Sequence, residues 1–213
     1  MTPSSPKLSL ARIIEAAVEM ADAEGLDQVS TRSLAARLGV TPMALYRHVR
    51  DKDDIVTGVV DVLLARHAGE LDSTDGGPAR DWHEHLRWVA TSLRAVLRDQ
   101  SEALRLFTRR PVTSPAARAR LADAIRILAS AGFDEASAIR AYASVHTYTI
   151  GFCALEAGRR LGSTTAEDRR SEEDRSGADR DLELASMIRG FVSDDQFRQG
   201  LDSLIAGLGG PRP

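Results

Sequence analysis

Apolar residues in the N-terminal segment recur at intervals of three and four positions, which places them on one face of a helix. The pattern predicts a first amphipathic helix over residues 10–21, with Ser9 available as its N-cap and Gly25 beyond its end. The apolar positions that define this face are Leu10, Ile13, Ile14, Ala17, Val18 and Ala21.

A second and a third helix are predicted on either side of Gly39. Ser30 or Thr31 can cap the second helix, and Gly39 can adopt the left-handed conformation that ends it. Thr41 is placed to cap the third helix, with Pro42 at the first position, where a missing N–H costs nothing. Helix, glycine turn and helix form the helix-turn-helix arrangement, whose second helix enters the major groove of DNA.

A fourth helix is predicted from Asp51 to about His67, with Asp53 and Asp54 near its positive N-terminus. Residues 71–78 are then rich in Asp, Ser, Thr, Gly and Pro, which predicts a linker or surface loop. We therefore expect a helix-turn-helix DNA-binding domain over residues 1–68 and a larger helical domain over residues 69–213, with the boundary near Ala68 inside the fourth helix.

The remaining apolar patterns also have the helical spacing. One stripe runs from Trp82 to Leu97, another from Leu121 to Leu128 ends at Ala131 and Gly132, and long helices are predicted over about 134–160 and 194–208. A shorter helix is predicted around 182–189, and the charged segment 162–181 is predicted to be a mobile surface loop. No segment alternates with period two, so the predicted fold class is all-α.

The charged residues indicate nucleic-acid binding in one segment only. The chain has 28 Lys and Arg against 31 Asp and Glu, a net charge of −3, which gives no general affinity for nucleic acid. The segment from Ser30 to Lys52 nevertheless has a single acidic residue, Asp51, and its basic residues are Arg32, Arg37, Arg47, Arg50 and Lys52. Any contact with DNA is expected from this local basic patch.

The same sequence argues against several other classes of protein. Arg12 and Glu15 interrupt the first apolar stretch, so we expect no secretory signal and a cytoplasmic location. The longest nearly apolar run, residues 148–155, is far shorter than the roughly 20 residues that span a bilayer, so no membrane association is expected. The only cysteine, Cys153, cannot form an intramolecular disulfide and is expected to be a buried small hydrophobe.

An enzymatic function is not expected either. His83 and His85 are two positions apart, on nearly opposite faces of a helix, whereas a helical zinc pair needs a spacing of four. The sequence contains no G-x-S-x-G motif, phosphate-binding glycine loop or nucleotide fingerprint. We expect no catalytic residues, no metal site, no cofactor and no turnover of any bound molecule.

The segment "TRSLAARLGV" at 31–40, followed by "LYRHVRDKDDI" at 45–55 and preceded by "GLDQVS", resembles the DNA-binding domain of the tetracycline-repressor (TetR) family. "TRRP" at 108–111, "LASAGF" at 128–133 and "SVHTYTIGFCALE" at 144–156 resemble the ligand-binding domain of the tetracycline-binding members. The resemblance implies a transcriptional regulator, most often a repressor, that binds a palindromic operator as a homodimer and is released by a small-molecule effector.

The resemblance also implies roles for individual residues. Thr31 matches a phosphate contact and Arg32 an arginine that reads guanine, while Tyr46, His48 and Lys52 match contacts to the DNA backbone. The positions of the recognition helix fall on Thr41, Pro42, Met43, Ala44 and Arg47. For Tyr46 a packing role and a phosphate contact remain open. Surface charges without DNA contact are expected of Arg37 and Arg50.

For the larger domain, the resemblance implies a pocket between helices and a movement of the fourth helix on effector binding. The candidate pocket residues are His67, Trp88, Phe107, Arg110, Ile127, His146 and Thr147, of which Arg110, next to Pro111, repeats the family motif directly. A plain apolar core explains Trp88, Phe107 and Ile127 at least as well. A dimerisation or protein-binding module without a ligand is the alternative function of this domain.

Tetracycline-binding members hold a magnesium chelate with histidines whose places are here taken by Leu106 and Thr147. A more apolar or neutral ligand is therefore expected. The family resemblance further implies a dimer interface of four helices, built here from residues near 134–160 and 194–208. The small residues Ala138, Ala141, Ser144 and Gly151 suit close helix contact, although packing within the subunit explains them almost as well.

Overall fold

The computed structural model describes residues 8–74, 81–98, 100–109, 113–169 and 192–209. These residues contain helices and no β-strand, which confirms the predicted all-α class. The helices are α1 Leu10–Glu24, α2 Thr31–Leu38, α3 Pro42–Leu45, α4 Lys52–Thr74, α5 Trp82–Arg98, α6 Ser101–Arg109, α7 Pro115–Ser130, α8 Glu135–Arg169 and α9 Asp194–Gly207. A single 3₁₀ turn, Leu26–Gln28, joins α1 to α2.

Local capping groups begin and end several helices where the sequence predicts. The Ser9 hydroxyl accepts from the Arg12 N–H at 3.3 Å, and Ser30 and Ser33 form a reciprocal capping box at the start of α2. Gly39 ends α2 in the left-handed conformation, with φ of 67°. Thr41 is the N-cap residue of α3, as predicted, but its side chain makes no capping hydrogen bond. The fixed φ of Pro42 begins this short helix instead.

Two helices extend further than their composition suggests. Helix α4 continues to Thr74, so the predicted linker is wrong for residues 71–74, and residues 75–78 lie outside the described ranges. Helix α8 continues to Arg169, so the predicted loop is wrong for residues 162–169. Polar residues alone do not end a helix that lacks a proline or a left-handed cap. The rest of that loop and the predicted helix at 182–189 also lie outside the described ranges.

The apolar core has two parts, and the first extends from the helix-turn-helix region into the helices that follow it. In that part, buried residues of α1, α2, α3 and α4 form one cluster with residues of α5 and α6, among them Leu97 and Leu106. The second part lies between α5, α7, α8 and α9, with Leu86, Phe152 and Phe197 near its centre. The N-terminal helices are therefore packed continuously against α5 and α6.

Candidate DNA interface and effector cavity

Helix α3 is short and presents most of its side chains to solvent. Leu45 and Val49 are buried and anchor α3 and the turn that follows it to the rest of the helix-turn-helix. Met43 is 73% exposed, the most exposed large apolar side chain among the described residues. An exposed methionine on a short, firmly anchored helix is suited to contact a partner surface such as the floor of a DNA groove.

The structure leaves most of the sequence-predicted DNA contacts accessible. Tyr46 is 48% exposed, so about half of this residue packs against the subunit and half is accessible to a partner. Thr31, Ala44 and Lys52 are partly buried. The exposed members of the predicted set are Arg32, Thr41, Pro42, Met43, Tyr46, Arg47 and His48.

Two nearby arginines are held by carboxylates of the same subunit. The Arg37 guanidinium lies 2.9 Å from a Glu19 carboxylate oxygen. Arg50 donates two hydrogen bonds to Asp54, at 2.9 and 2.7 Å, and this pair raises the pKa of Arg50 above its usual value. Each of these guanidinium groups thus has a carboxylate partner within the subunit, and that neither arginine contacts DNA stays a prediction.

Lys52 connects the predicted DNA surface with α6. Its ammonium nitrogen lies 3.5 Å from a carboxylate oxygen of Glu102, in the first turn of α6. Arg105 contacts the same carboxylate at 2.8 Å and also Asp53 at 3.1 Å; the hydrogen bond to Glu102, followed by that to Asp53, raises the pKa of Arg105. A DNA phosphate at Lys52 would therefore compete with the Glu102 carboxylate.

The N-terminus of α6 is held by the turn that follows α1. Asp27 accepts hydrogen bonds from the Glu102 backbone N–H at 3.0 Å and from the Ser101 hydroxyl at 2.5 Å. In return, the Gln100 side-chain oxygen accepts from the Leu26 backbone N–H at 3.0 Å. An acidic side chain at a helix N-terminus satisfies free N–H groups and suits the helix dipole. The helix-turn-helix region and α6 are thus joined by directional contacts.

A cavity of about 520 Å³ lies beside the other end of α6, among α4, α5, α6, α7 and α8. Three of the sequence-predicted pocket residues, Trp88, Phe107 and His146, line it. His67, Ile127 and Thr147 are not in its wall, and Arg110 lies outside the described residues. Thr147 is exposed because the next position on a helix is rotated by about 100° from His146.

Aromatic rings form two groups along this cavity. The His146 ring lies between Phe107 and Tyr142, with a centroid separation of 5.7 Å to each. On α5, His85 and Trp88 are stacked with centroids 5.4 Å apart. Burial, and secondarily the charge of Arg120, lowers the pKa of His146, which favours the neutral imidazole.

Polar groups also reach the cavity. Ser92 is 5% exposed, and its hydroxyl oxygen has no hydrogen-bond partner. A buried hydroxyl without a partner carries a desolvation cost that a ligand could remove. Arg120 lines the cavity and contacts Asp61 on α4 at 2.7 Å, and Arg109 lines it at the C-terminal end of α6.

Two family profiles match the chain. Residues 13–59 match bacterial regulatory proteins of the tetR family. Residues 76–210, more than half of the chain, match the tetracyclin repressor-like C-terminal domain. The chain belongs to the TetR family.

Individual relatives agree with this assignment. An HTH-type transcriptional regulator of Saccharopolyspora erythraea is 32% identical over 96% of this chain and 86% of the relative. The class A tetracycline repressor of Escherichia coli is 29% identical over 95% and 91%, respectively. The crystal structure of a TetR variant from Acinetobacter baumannii AYE in complex with minocycline has a TM-score of 0.65 and 26% identity, covering 94% of this chain and 96% of that one. This TetR-family chain is accordingly a transcriptional regulator with an N-terminal helix-turn-helix.

This TetR-family chain does not fit the magnesium chelate of the tetracycline-binding members. Leu106 is buried in the apolar core, and Thr147 is exposed and outside the cavity wall. Across the described parts of the chain, no group of three or more His, Cys, Asp and Glu side chains could hold a metal ion. None of the helices in the described ranges is long and apolar enough to cross a membrane.

Helix α8 of the TetR-family chain has one face without a covering element among the described residues. Leu155 on this face is 62% exposed, and Gly151 is exposed beside it. Ala138 and Ala141, predicted as interface candidates, are fully buried inside the subunit, so packing within the subunit explains them. The exposed residues of the α8 face are Ala136, Ile139, Arg140, Ala143, Thr147, Gly151, Ala154, Leu155 and Gly158.

Proposed function

We propose that this regulator is a repressor that binds a palindromic operator as a homodimer and leaves it when a small molecule enters the cavity. The main support is the placement of α6, a helix of nine residues. Its C-terminal end lines the cavity of about 520 Å³, while its N-terminal end contacts Asp27 and Lys52 in the helix-turn-helix region. A ligand that displaces α6 would therefore disturb the DNA-binding surface.

The homodimer is supported by the exposed face of α8. Ile139, Ala143, Gly151 and Leu155 recur at helical spacing on that face, and α9 adds small exposed residues at Ser203 and Ala206. Small side chains allow helices to approach closely, and a two-fold dimer places two recognition helices in successive major grooves, roughly 34–36 Å apart.

The division of the chain into two domains at about residue 68 also belongs to this proposal. Residues 1–68 would bind DNA, and residues 69–213 would bind the effector and the second subunit. Helix α4 would belong to both domains, since it begins at Lys52 and ends at Thr74. A role in regulation rather than catalysis, in the cytoplasm, is supported by relatives that are named regulators and repressors.

The ten predicted DNA contacts are part of the proposal. Arg32 would read a guanine, and α3 with Arg47 would read neighbouring bases. Tyr46, His48, Thr31 and Lys52 would contact phosphates and set the register. The exposure of Tyr46 and His48 supports their share of these contacts.

Replacing Arg32 with alanine is expected to weaken operator binding by about 1 to 3 kcal/mol and to relax the preference at one base pair. Binding should be measured by fluorescence anisotropy on the operator and on its single-base variants. Arg37→Ala is the matched control, because that guanidinium pairs with Glu19. An unchanged base preference in Arg32→Ala would contradict the role assigned to Arg32.

Replacing Glu102 with glutamine is expected to strengthen binding to non-specific duplex DNA by up to about fivefold, as expected when a partly exposed ion pair no longer competes. The reason is that Lys52 would no longer share its charge with a carboxylate. The slope of log affinity against log salt should become steeper at the same time. Weaker DNA binding by the variant would show that Glu102 positions Lys52 instead of competing for it.

Selection of bound duplexes from a random DNA pool, using the purified protein, tests the proposed function directly. We expect a palindromic sequence to be enriched and to be released when an effector is added to the complex. Enrichment of no sequence, or binding by a single subunit, would overturn the proposal. Thermal-shift screening of the protein alone separates a sensor from a dimerisation module, because a ligand that binds the native state raises Tm.

A further inference from the structure

We propose that the effector is a flat aromatic molecule with an ionised acidic group, and that Arg120 binds this group in exchange for Asp61. The inference rests on the proposed function and specifies the chemistry that the cavity takes. It replaces the neutral ligand expected from the sequence, because that expectation rested on positions 106 and 147 and took no account of the charged residues in the wall.

The position of Arg120 carries the argument. Arg120 lies on α7 and lines the cavity, while its guanidinium donates to the Asp61 carboxylate at 2.7 Å. Asp61 lies on α4, the helix that begins at the predicted phosphate contact Lys52. Both side chains of this pair are partly buried. The guanidinium therefore lies between the cavity and the helix that reaches the DNA surface.

The other charged residues of the wall also favour an anion. Arg109 forms no ion pair with any residue that the structure describes. Asp123, the acidic residue of the wall, contacts Arg126 at 2.7 Å. Burial keeps the pKa of His146 below its usual value, so that residue adds no positive charge at neutral pH. The wall thus offers two guanidinium groups and a carboxylate that has its own partner.

The aromatic part of the ligand follows from the rings in the wall. Phe107, Tyr142 and His146 form one group of rings, and Trp88 with His85 forms another. Rings of this kind favour offset stacking or edge contacts with a flat aromatic molecule. The buried Ser92 hydroxyl, which has no partner, can form a hydrogen bond with a polar substituent.

Exchange at Arg120 would connect binding to release. A ligand carboxylate can form the charge-assisted hydrogen bonds that a guanidinium now makes with Asp61. Asp61 would then lose the contact that joins α4 to α7, so the ligand would favour states in which α4 has moved. By linkage, the intact Arg120–Asp61 pair must weaken ligand binding to the same extent.

Matched acids and amides test the chemical class. The probes are 2-naphthoate against 2-naphthamide, and anthraquinone-2-carboxylate against its carboxamide, measured by isothermal titration calorimetry on the full chain. We expect each acid to bind at least about tenfold more tightly than its amide, or ~1.4 kcal/mol. Arg120→Met should abolish this preference. Arg118→Met, a change of an exposed arginine on the same helix that lies outside the cavity wall, should retain it.

Asp61→Asn tests the exchange separately from the chemical class. The variant removes the competing carboxylate and should therefore bind the acids at least about threefold more tightly, which is within the range of a partly exposed ion pair. If the Arg120–Asp61 pair only stabilised the fold, Asp61→Asn would bind the acids as tightly as the unchanged chain or more weakly. This measurement also covers the case in which Arg120→Met fails to fold, which circular dichroism would show.

The outcomes separate this inference from the proposed function. Equal binding of acid and amide, or binding of none of the four probes, overturns the chemical class. Weaker or unchanged binding of the acids by Asp61→Asn overturns the exchange. In each of these cases, release of the selected operator by another compound would still support the proposed function, whereas an operator that no effector releases would contradict that function itself.

Discussion

Gly151→Arg is expected to convert the protein into a monomer and to lower its affinity for a two-half-site operator by about 10²–10⁴-fold, the usual gain from linked binding sites. Gly151 is exposed on the proposed dimer face of α8, and a Cβ at this position would meet no atom within 4 Å in the subunit. The subunit should therefore fold normally, while a long charged side chain keeps the two copies of α8 apart. Sedimentation velocity and operator binding measure the two effects.

The matched control is Ala129→Arg. Ala129 is also small and exposed on a helix, but it lies on α7, away from the proposed dimer face. This variant should remain dimeric and bind the operator normally. Binding of Gly151→Arg to an isolated half-site should equal that of the unchanged chain, because the helix-turn-helix is unaltered. A dimeric Gly151→Arg protein would exclude this face of α8 as the interface.

Arg94→Ala is expected to lower the free energy of unfolding by about 3 to 5 kcal/mol, the usual cost of removing one partner of a buried ion pair. The Arg94 and Glu156 side chains are 11% and 8% exposed and lie 2.6 Å apart. Arg94 also contacts Asp194 at 2.6 Å and lies over the Phe197 ring at 4.4 Å. Burial alone would lower the pKa of Arg94, but the hydrogen bonds to Glu156 and Asp194 outweigh it and raise that pKa.

Urea unfolding followed by circular dichroism measures this effect. Arg98→Ala is the control, because Arg98 contacts Asp194 at 3.1 Å from a much more exposed position, and we expect a loss below about 1 kcal/mol. The double variant Arg94→Met with Glu156→Gln should be more stable than Arg94→Ala, since it leaves no buried charge without a partner. Equal instability of Arg94→Ala and Arg98→Ala would contradict the burial argument.

Most of the helices, although not α6, could be predicted from the sequence because their determinants are local. Ser9, Ser30 and Gly39 make capping hydrogen bonds with residues three or four positions away. The apolar spacing that predicts a helix also lies within the segment that forms it. Contacts between residues far apart in the chain have no comparable local pattern in the sequence. Asp27 contacts Glu102 across 75 positions, and Arg94 contacts Asp194 across 100 positions. Nothing near Asp27 or Arg94 in the sequence indicates these partners.

The candidate cavity was predicted only in part. Trp88, Phe107 and His146 were among the candidates that the family resemblance implied, and all three line the cavity. Thr147 was included from its place in a motif, yet the helical rotation of one residue turns it to solvent. Arg120 was missed, because a charged residue in a helix is usually a surface residue. Only packing of α7 against α4 reveals its contact with Asp61.

The shared core and the capping of α6 by Asp27 bear on engineering with this protein. A chimera could join the helix-turn-helix of another regulator to α5–α9 of this chain. The foreign part would then have to supply a hydrogen-bond acceptor at position 27 and apolar surfaces that fit Leu97 and Leu106. A chimera without them would leave free backbone N–H groups at the start of α6 and cavities between the two parts. If α3 reads bases as proposed, exchanging only its exposed residues would change the DNA sequence that is bound and would keep the contacts between Asp27 and α6.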